Sequence, residues 1–538
     1  MKRFFGLFSK ENSIRGASII LIITLALSNI LGLLRDRFLA KNISTYDLDV
    51  YYASFRVPDL IFNLLILGAI SSAFIPIFSE LITKKREEEG FKVTNNLINS
   101  ALLFTIVFAI ISYIFMPSIM PLIVPKFDSG RLNQAVNLSR LMMITPIFFS
   151  ISYILGGVLN SFKRFLSYSL APLVYNASII FGAAILAPKY GMIAVVYSVI
   201  AGSFLHLLIQ LPSAIKLGFR YKLILDFKEK ALRRIIALMI PRSIGMGANQ
   251  LLLIVYTAVA SSLAAGSISA FSLSNNMQTM PTVVFGTSFA TAIFPTLTSK
   301  IASNDKEGFI FYLDRSMRAI AFLLIPSSVM FILLRAQIVR LILGSGKFNW
   351  SDTKMTAMTL GLFSVSLIAQ GLIPLLAKAF YALKNTKTPM YISLVTVVVS
   401  ILFAIPFAKM FGVAGLALAF SIGSFINAAT LFVMLHNIYP GKWYIKMIYS
   451  YLRIALISVI MGCFVWIAAH AMANFVDMTR FYGVLIQTIT AVTVGVVSYL
   501  GLSYLFDCNE MKWALTREIN GKLEKGLEGV ETAEYEKV

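Results

Sequence analysis

Two cysteines and three histidines in 538 residues leave little material for metal or covalent chemistry. Cys463 lies in an apolar run and Cys508 in the C-terminal tail, so neither a disulfide framework nor a thiolate metal site can be assembled. His206, His436 and His470 stand apart from any carboxylate or thiol cluster, which removes zinc ligation and a Ser-His-Asp arrangement. No ATP-binding motif occurs, and an enzyme acting on a lipid carrier would need a clustered Asp/His site. No catalytic centre, metal or cofactor is therefore expected. Charge is scarce as well, at 13% of residues against 58% hydrophobic. A soluble chain of this length would need far more polar surface, so the bilayer is the expected solvent. The net charge of +22 would suit nucleic acid, but the basic residues are spread between apolar runs rather than gathered on one domain.

Thirteen runs lack Asp, Glu, Lys and Arg altogether, from 16–34 and 60–79 through to 454–476 and 481–506. Most are near the ~20 residues that cross the hydrocarbon core. The run 243–299 is too long for one crossing, and Ala265-Gly266-Ser267 offers a turn inside it, giving fourteen expected spans. The runs lack barrel alternation, so helices are the only candidate. With the N-terminus inside, nominal cytoplasmic segments hold 31 of the 47 Lys and Arg residues and outer segments 10, a bias that alternates loop by loop. An inner-membrane, multi-pass protein with both termini cytoplasmic is the expectation. The basic N-terminal tail (1–16) has no clear cleavage site after it, so a retained first helix is expected.

The chain also repeats itself weakly. Lys189-Tyr190-Gly191 through Gly202-Ser203-Phe204 matches Lys409-Met410-Phe411-Gly412 through Gly423-Ser424-Phe425, and Ala73-Phe74-Ile75-Pro76 matches Ala292-Ile293-Phe294-Pro295. Six helices per unit give both copies one orientation, hence a pseudo-twofold axis along the membrane normal. The expected fold class is all-α, with two six-helix lobes in parallel repeat and two further helices. The expected boundaries are an N-lobe at 17–217, a linker at 218–234, a C-lobe at 235–440, two helices at 441–506 and a cytoplasmic tail at 507–538.

Six basic residues lie within or at the ends of spans: Arg35, Arg37, Arg56, Arg140, Arg242 and Lys378. A guanidinium at mid-bilayer costs at least ~2.5–3.5 kcal/mol, so each needs a partner, a wet cavity or an interface. Arg37, Arg140 and Lys378 sit near predicted ends and can snorkel. Arg56 and Asp59 are three apart on helix 2, with Asn63 four further on, while Asn29, Gly32 and Asp36 share a stripe beside Ser28 and Arg35 on helix 1. Arg242 follows Pro241 in helix 7. Either these charges merely neutralise one another, or they form a cationic site for an anionic headgroup. Arginine suits phosphate because its planar fork meets two oxygens and does not titrate.

The stretches Ser28 to Asp36, Asp49 to Pro58 and Gly68 to Pro76 resemble the N-terminal signature of the MurJ/MviN family. So do Gly346-Lys347-Phe348, Ala379 to Leu383 and Thr386-Lys387-Thr388-Pro389, and the likeness runs from about residue 14 to 505. The resemblance implies the MOP-superfamily fold, with the last two helices forming a groove for a lipid tail. It also implies alternating access that carries undecaprenyl-diphosphate-linked sugar-peptide (lipid II) from the inner to the outer leaflet. A lipid-linked anionic substrate, membrane lipids and peptidoglycan synthases are the partners it suggests, for a monomer. The family's helix 1 arginine and aspartate fall on Arg35 and Asp36, and its acidic residue before helix 2 falls on Asp49.

Where the family carries two further cavity arginines, this chain has Asn63 and Asn276, each preceded by an uncharged residue (Phe62 and Asn275). Arg242 is a candidate substitute. Helices 7, 11 and 12 contain no Asp or Glu, which argues against a sodium site in the second lobe. The expected substrate-binding set is Arg35, Asp36, Asp49, Arg56, Asp59, Asn63, Arg242, Asn275 and Asn276, with Gln278 as a further hydrogen-bonding group. Three rivals remain open: a Wzx-like flippase of another polyprenyl-linked oligosaccharide, a MATE-like antiporter coupled through Asp36 or Asp59, and a non-transporting scaffold.

Overall fold

In hydrocarbon a backbone has no water to bond, so each apolar run must close its own hydrogen bonds as a helix. The computed structural model describes residues 14–67, 74–508 and 510–511, with backbone alone for 14–22, 66, 67, 241 and 242. Among the described residues there is no strand. The chain opens with α1 (Ile14–Asn42), α2 (Thr45–Ser54) and α3 (Arg56–Phe62), which runs into a π-helical turn at Asn63–Leu67, and then α4 (Ile75–Thr83). Next come α5 (Glu87–Ile123), α6 (Ser129–Met142), α7 (Thr145–Ser161), α8 (Phe165–Phe181), α9 (Ala187–Tyr190), α10 (Met192–Leu208), α11 (Leu211–Lys216) and α12 (Lys230–Ser261). The rest are α13 (Ser267–Pro281), α14 (Ser288–Ala302), α15 (Lys306–Leu333), α16 (Arg335–Leu343), α17 (Trp350–Ser364), α18 (Leu367–Ala382), α19 (Lys387–Phe411), α20 (Val413–Ile438), α21 (Trp443–Ala473) and α22 (Phe481–Leu505).

Among the described residues, eleven helical stretches are long and apolar enough to cross a bilayer, and the pair α17–α18, bent by 47°, raises the number to twelve. This is short of the fourteen expected, and the difference falls on the first two runs. Helix α1 has side chains described only from Ile23 onward, and the 60–79 run is broken at the π-helical turn, with 68–73 outside the described residues. The tail calls at 1–16 and 507–538 lie mostly outside them too.

The helices gather into two compact units, Met1–Ser272 with Ile342–Asp352, and Leu273–Leu341 with Thr353–Val538. In the first, Phe74, Phe78, Val93, Leu155, Val158 and Ile235 build a core. In the second, Leu297, Phe309, Ile320, Leu375 and Phe380 do so, and α21 and α22 lay Ile457, Met461, Val465 and Ala491 against Ala321 and Phe322.

The weak sequence repeat coincides with two backbone devices at matching positions, although the first unit has a second π-helical turn at Gly182–Leu186. Gly191 heads α10 at φ 65°, ψ −152°, and Gly412 heads α20 at φ 60°, ψ −142°, a region closed to most side chains. The π-helical turn that begins at Asn63 recurs at Thr282–Thr287, 219 residues on. Each precedes the matched Phe-Ile-Pro76 or Ile-Phe-Pro295 segment.

A proline inside a helix leaves the carbonyl four residues earlier without its helical donor. Three such carbonyls are recovered by a side chain from a neighbouring helix. Pro58 frees the Ser54 carbonyl, which accepts from Ser139 Oγ of α6 at 2.8 Å. Pro117 frees Tyr113, which accepts from Arg140 Nε at 2.9 Å, with the guanidinium also 4.8 Å from the Tyr113 ring centroid. Pro326 frees Phe322, which accepts from the Tyr499 hydroxyl of α22 at 2.7 Å. Arg140, read from sequence as snorkelling, therefore has a backbone partner within its own unit. Lys378 likewise meets Thr291 Oγ1 at 2.6 Å.

The segment after α11 is strapped down by asparagines of α5: Asn95 bonds Arg220 and Lys222, Asn99 bonds Lys222 and Ile224, and Asn96 bonds Asp226, all through main-chain atoms.

Tyr499→Phe should cost about 1–3 kcal/mol, because it strands the buried Phe322 carbonyl. Adding Pro326→Ala restores an N–H for that carbonyl and should recover part of the loss. Thermal unfolding of the detergent-solubilised chain measures both, and no recovery in the double variant would refute the proline explanation.

Candidate functional site

Most of the expected site residues fall on the first three helices. Arg35, near the end of α1, donates from Nε (3.1 Å) and Nη2 (2.9 Å) to Asp36 Oδ1, and from Nη1 to Asn176 Oδ1 at 3.3 Å. Asn176 is held in turn by the Pro172 carbonyl of α8 at 3.2 Å. Asp36 is buried at 1% exposure, whereas the Arg35 side chain keeps 22%. A buried carboxylate thus orients a guanidinium that still has an open side, the arrangement a phosphate-gripping arginine needs.

Arg56 begins α3 and donates from Nε to Thr257 Oγ1 of α12 at 2.7 Å. Thr257 passes its own proton to the Leu253 carbonyl at 2.7 Å, which turns its lone pairs toward the arginine. Among the described residues Arg56 and Asp59 form no direct ion pair, though their charges attract each other, whereas Arg35 and Asp36 meet at 2.9 Å. The two terminal nitrogens of Arg56 carry no hydrogen bond among the described residues. Asn63 donates to the Asp59 carbonyl at 2.8 Å, at the start of the π-helical turn.

Asp49 has a different task from the one expected. It is 2% exposed and accepts four bonds: from Gly266 N–H (2.7 Å) and Arg131 Nη2 (3.2 Å) on Oδ2, and from Ser269 N–H and Ser269 Oγ (both 2.8 Å) on Oδ1. With its acceptor positions filled, Asp49 fastens the turn between α12 and α13 and has nothing left for a ligand. Arg131 is fixed between the Tyr46 ring (4.1 Å) and the Phe127 ring (3.8 Å). Beside it Asp128 caps α6, and the Arg131 N–H at 3.0 Å holds that carboxyl below its usual range. The Gly346-Lys347 motif serves the same end of α1. Lys347 N–H bonds the Lys41 carbonyl at 3.0 Å, and a Cβ on Gly346 would lie 2.1 Å from that oxygen.

Asn275 and Asn276 belong to the second unit, on α13, where Gln278 Nε2 donates to Asn275 Oδ1 at 3.1 Å. The Arg242 side chain lies outside the described residues, as does Gly68. Sequence reasoning missed Asn176, Thr257 and the Asp49 role of Arg131. A lone amide or hydroxyl in an apolar run gives no signal, and Arg131 reads as one more loop charge.

Asp49→Asn puts an amide where two donors converge and removes the charge facing Arg131. Breaking a buried pair costs about 3–5 kcal/mol. Exchange of the Gly266 and Ser269 amides with deuterium should quicken by roughly 100-fold or more, the factor that loss implies. Unchanged protection there would show that Asp49 fastens nothing.

Comparison with known proteins bears on the family and the fold. A family model described as lipid II flippase MurJ matches residues 44–485. The lipid II flippase MurJ of Burkholderia cenocepacia is 27% identical over 505 residues, 89% of this chain and 96% of that protein. A solved structure of lipid II flippase MurJ in an inward closed conformation is similar at a TM-score of 0.76 and 29% identity, covering 91% of this chain and 98% of that one. An inward-facing multidrug resistance MATE family transporter of the MOP superfamily shares the fold at 14% identity and a TM-score of 0.64, over 80% of this chain and 98% of its own. With most of its length matched by the family model, this multi-pass membrane chain belongs to the lipid II flippase MurJ family.

Proposed function

We propose that the chain carries lipid II, an undecaprenyl-diphosphate-linked sugar-peptide, from the inner to the outer leaflet by alternating access, with both termini in the cytoplasm. One observation carries the residue assignment: among the described residues, Arg35 and Arg56 keep donors that are not spent on protein. Arg35 is oriented by Asp36 and Asn176 yet remains 22% exposed. Arg56 spends only Nε, on a neutral hydroxyl. A guanidinium at membrane depth is costly unless an anion or water completes it, and a diphosphate supplies the anion in a bidentate geometry. Asn63, Asn275 and Asn276 offer neutral hydrogen bonds for the sugar or peptide. Without an ATP-binding motif, the work falls to the substrate gradient, an ion or the membrane potential, the last worth ~2.3 kcal/mol per charge per 100 mV.

Asparagine at 63 and 276, where family members carry arginine, favours a second reading: a flippase for a different polyprenyl-linked glycan. Complementation of a cell depleted of its lipid II flippase separates the two. The unmutated chain should restore growth, and Arg35→Ala and Arg56→Ala should lose the rescue at normal protein levels. Each removes charged hydrogen bonds worth about 1.5–3 kcal/mol, a tenfold or greater loss of substrate affinity. Failure of the unmutated chain would favour the other glycan. Full rescue by both variants would remove the arginines from the site.

A further inference from the structure

A cavity of about 200 Å³ opens within the first unit, between α3 and helices α7, α8 and α10, and the flippase reading makes no use of it. Its walls are aromatic: Phe62, Phe149, Tyr153, Tyr175 and His206, with one carboxylate, Asp59. The rings brace one another edge to face or at a tilt, with Phe62–Tyr153 centroids 5.0 Å apart, Phe62–Phe149 5.3 Å and Phe149–Tyr175 5.4 Å. His206 stacks on Tyr153 at 5.3 Å and is anchored from behind, its Nδ1 lying 2.7 Å from Ser152 Oγ. The ring positions are therefore set before any ligand arrives.

Asp59 is the exception in this lining. It is half-buried, and among the described residues its carboxylate has no hydrogen-bond donor and no ion-pair partner. Arg56, three residues earlier, turns its Nε to Thr257 instead. A carboxylate among aromatic rings is complementary to a cation that is large and weakly hydrated. The negative faces of the rings attract such a cation from within ~6 Å, and the carboxylate supplies the opposite charge. A phosphate would be repelled by both features, so this cavity is chemically distinct from the arginine site.

We propose that the cavity binds an ammonium group, with Asp59 as counter-ion and Phe62, Phe149, Tyr153 and Tyr175 as the cage. The ammonium belongs either to a free small organic cation or to an amine on the peptide part of the transported cargo. The second source rests on the flippase reading, and the first does not.

Equilibrium dialysis of radiolabelled tetramethylammonium against the purified full-length chain, at matched ionic strength in sodium chloride, tests the site without any transport assay. Saturable binding of one equivalent is expected. It should weaken at least tenfold in Asp59→Asn, weaken in Tyr153→Leu, and persist in Asp59→Glu. Unfolding midpoints equal to that of the unmutated chain establish that the variants are folded. Absence of saturable binding to the unmutated chain, or equal binding by Asp59→Asn, overturns the proposal. Competition by lipid-linked cargo with a free peptide amine against its N-acetylated form then names the source. Stronger competition by the free amine assigns the ammonium to the cargo, equal competition assigns it to a free cation, and both leave the ammonium site standing. Loss of growth rescue with dialysis binding intact would sink the flippase reading alone.

Discussion

A polar group placed in hydrocarbon must find its partner inside the protein, because no water is present to supply one. The donors to proline-freed carbonyls, the half-buried arginines and the fastened turns are separate answers to that constraint. The Ser54, Tyr113 and Phe322 carbonyls lose their helical donors to proline and regain donors from Ser139, Arg140 and Tyr499. A proline in one helix is thereby tied to a specific residue on another. The same logic seats Glu510, which is fully buried and accepts from Ser450 Oγ at 2.6 Å, with Arg318 at 3.7 Å and Arg453 at 3.9 Å.

Against this background Arg56 is unlike the other intramembrane cations. Arg140 and Lys378 have partners that explain them as structural. Arg35 is intermediate, since Asp36 neutralises it while leaving part of the fork open. The carboxylates Asp49 of α2 and Asp59 of α3 divide in the same way: Asp49 is saturated and structural, while Asp59 lines a cavity.

Much of this was legible in the sequence, for physical reasons. Apolar runs of bilayer length can only be helices, and the glycines at 191 and 412 mark positions whose backbone conformation excludes most side chains. Arg35 and Asp36 stood out because charge at depth is costly, and their pairing follows from adjacency. What the sequence withheld was the identity of partners distant along the chain. Thr257 lies 201 residues from Arg56, and Gly266 and Ser269 lie more than 200 from Asp49. Asp49 entered the expected site through the family resemblance alone, and a carboxylate beside a span has the same sequence signature whether it meets substrate or main-chain N–H groups. The aromatic cavity was invisible for a related reason: phenylalanine and tyrosine are ordinary lining in any apolar helix until four helices bring them around one carboxylate.

The grip of guanidinium on pyrophosphate is tested most directly in vesicles containing the purified chain and a labelled undecaprenyl-linked sugar-peptide. The quantity to follow is the fraction of that lipid exposed to an impermeant probe over time. Transfer should be faster than in protein-free vesicles for the diphosphate, markedly slower for the same lipid built on a monophosphate, and reduced to the protein-free rate by Arg56→Gln. Equal transfer of the diphosphate and monophosphate lipids, unaffected by that substitution, would contradict an arginine site for the headgroup.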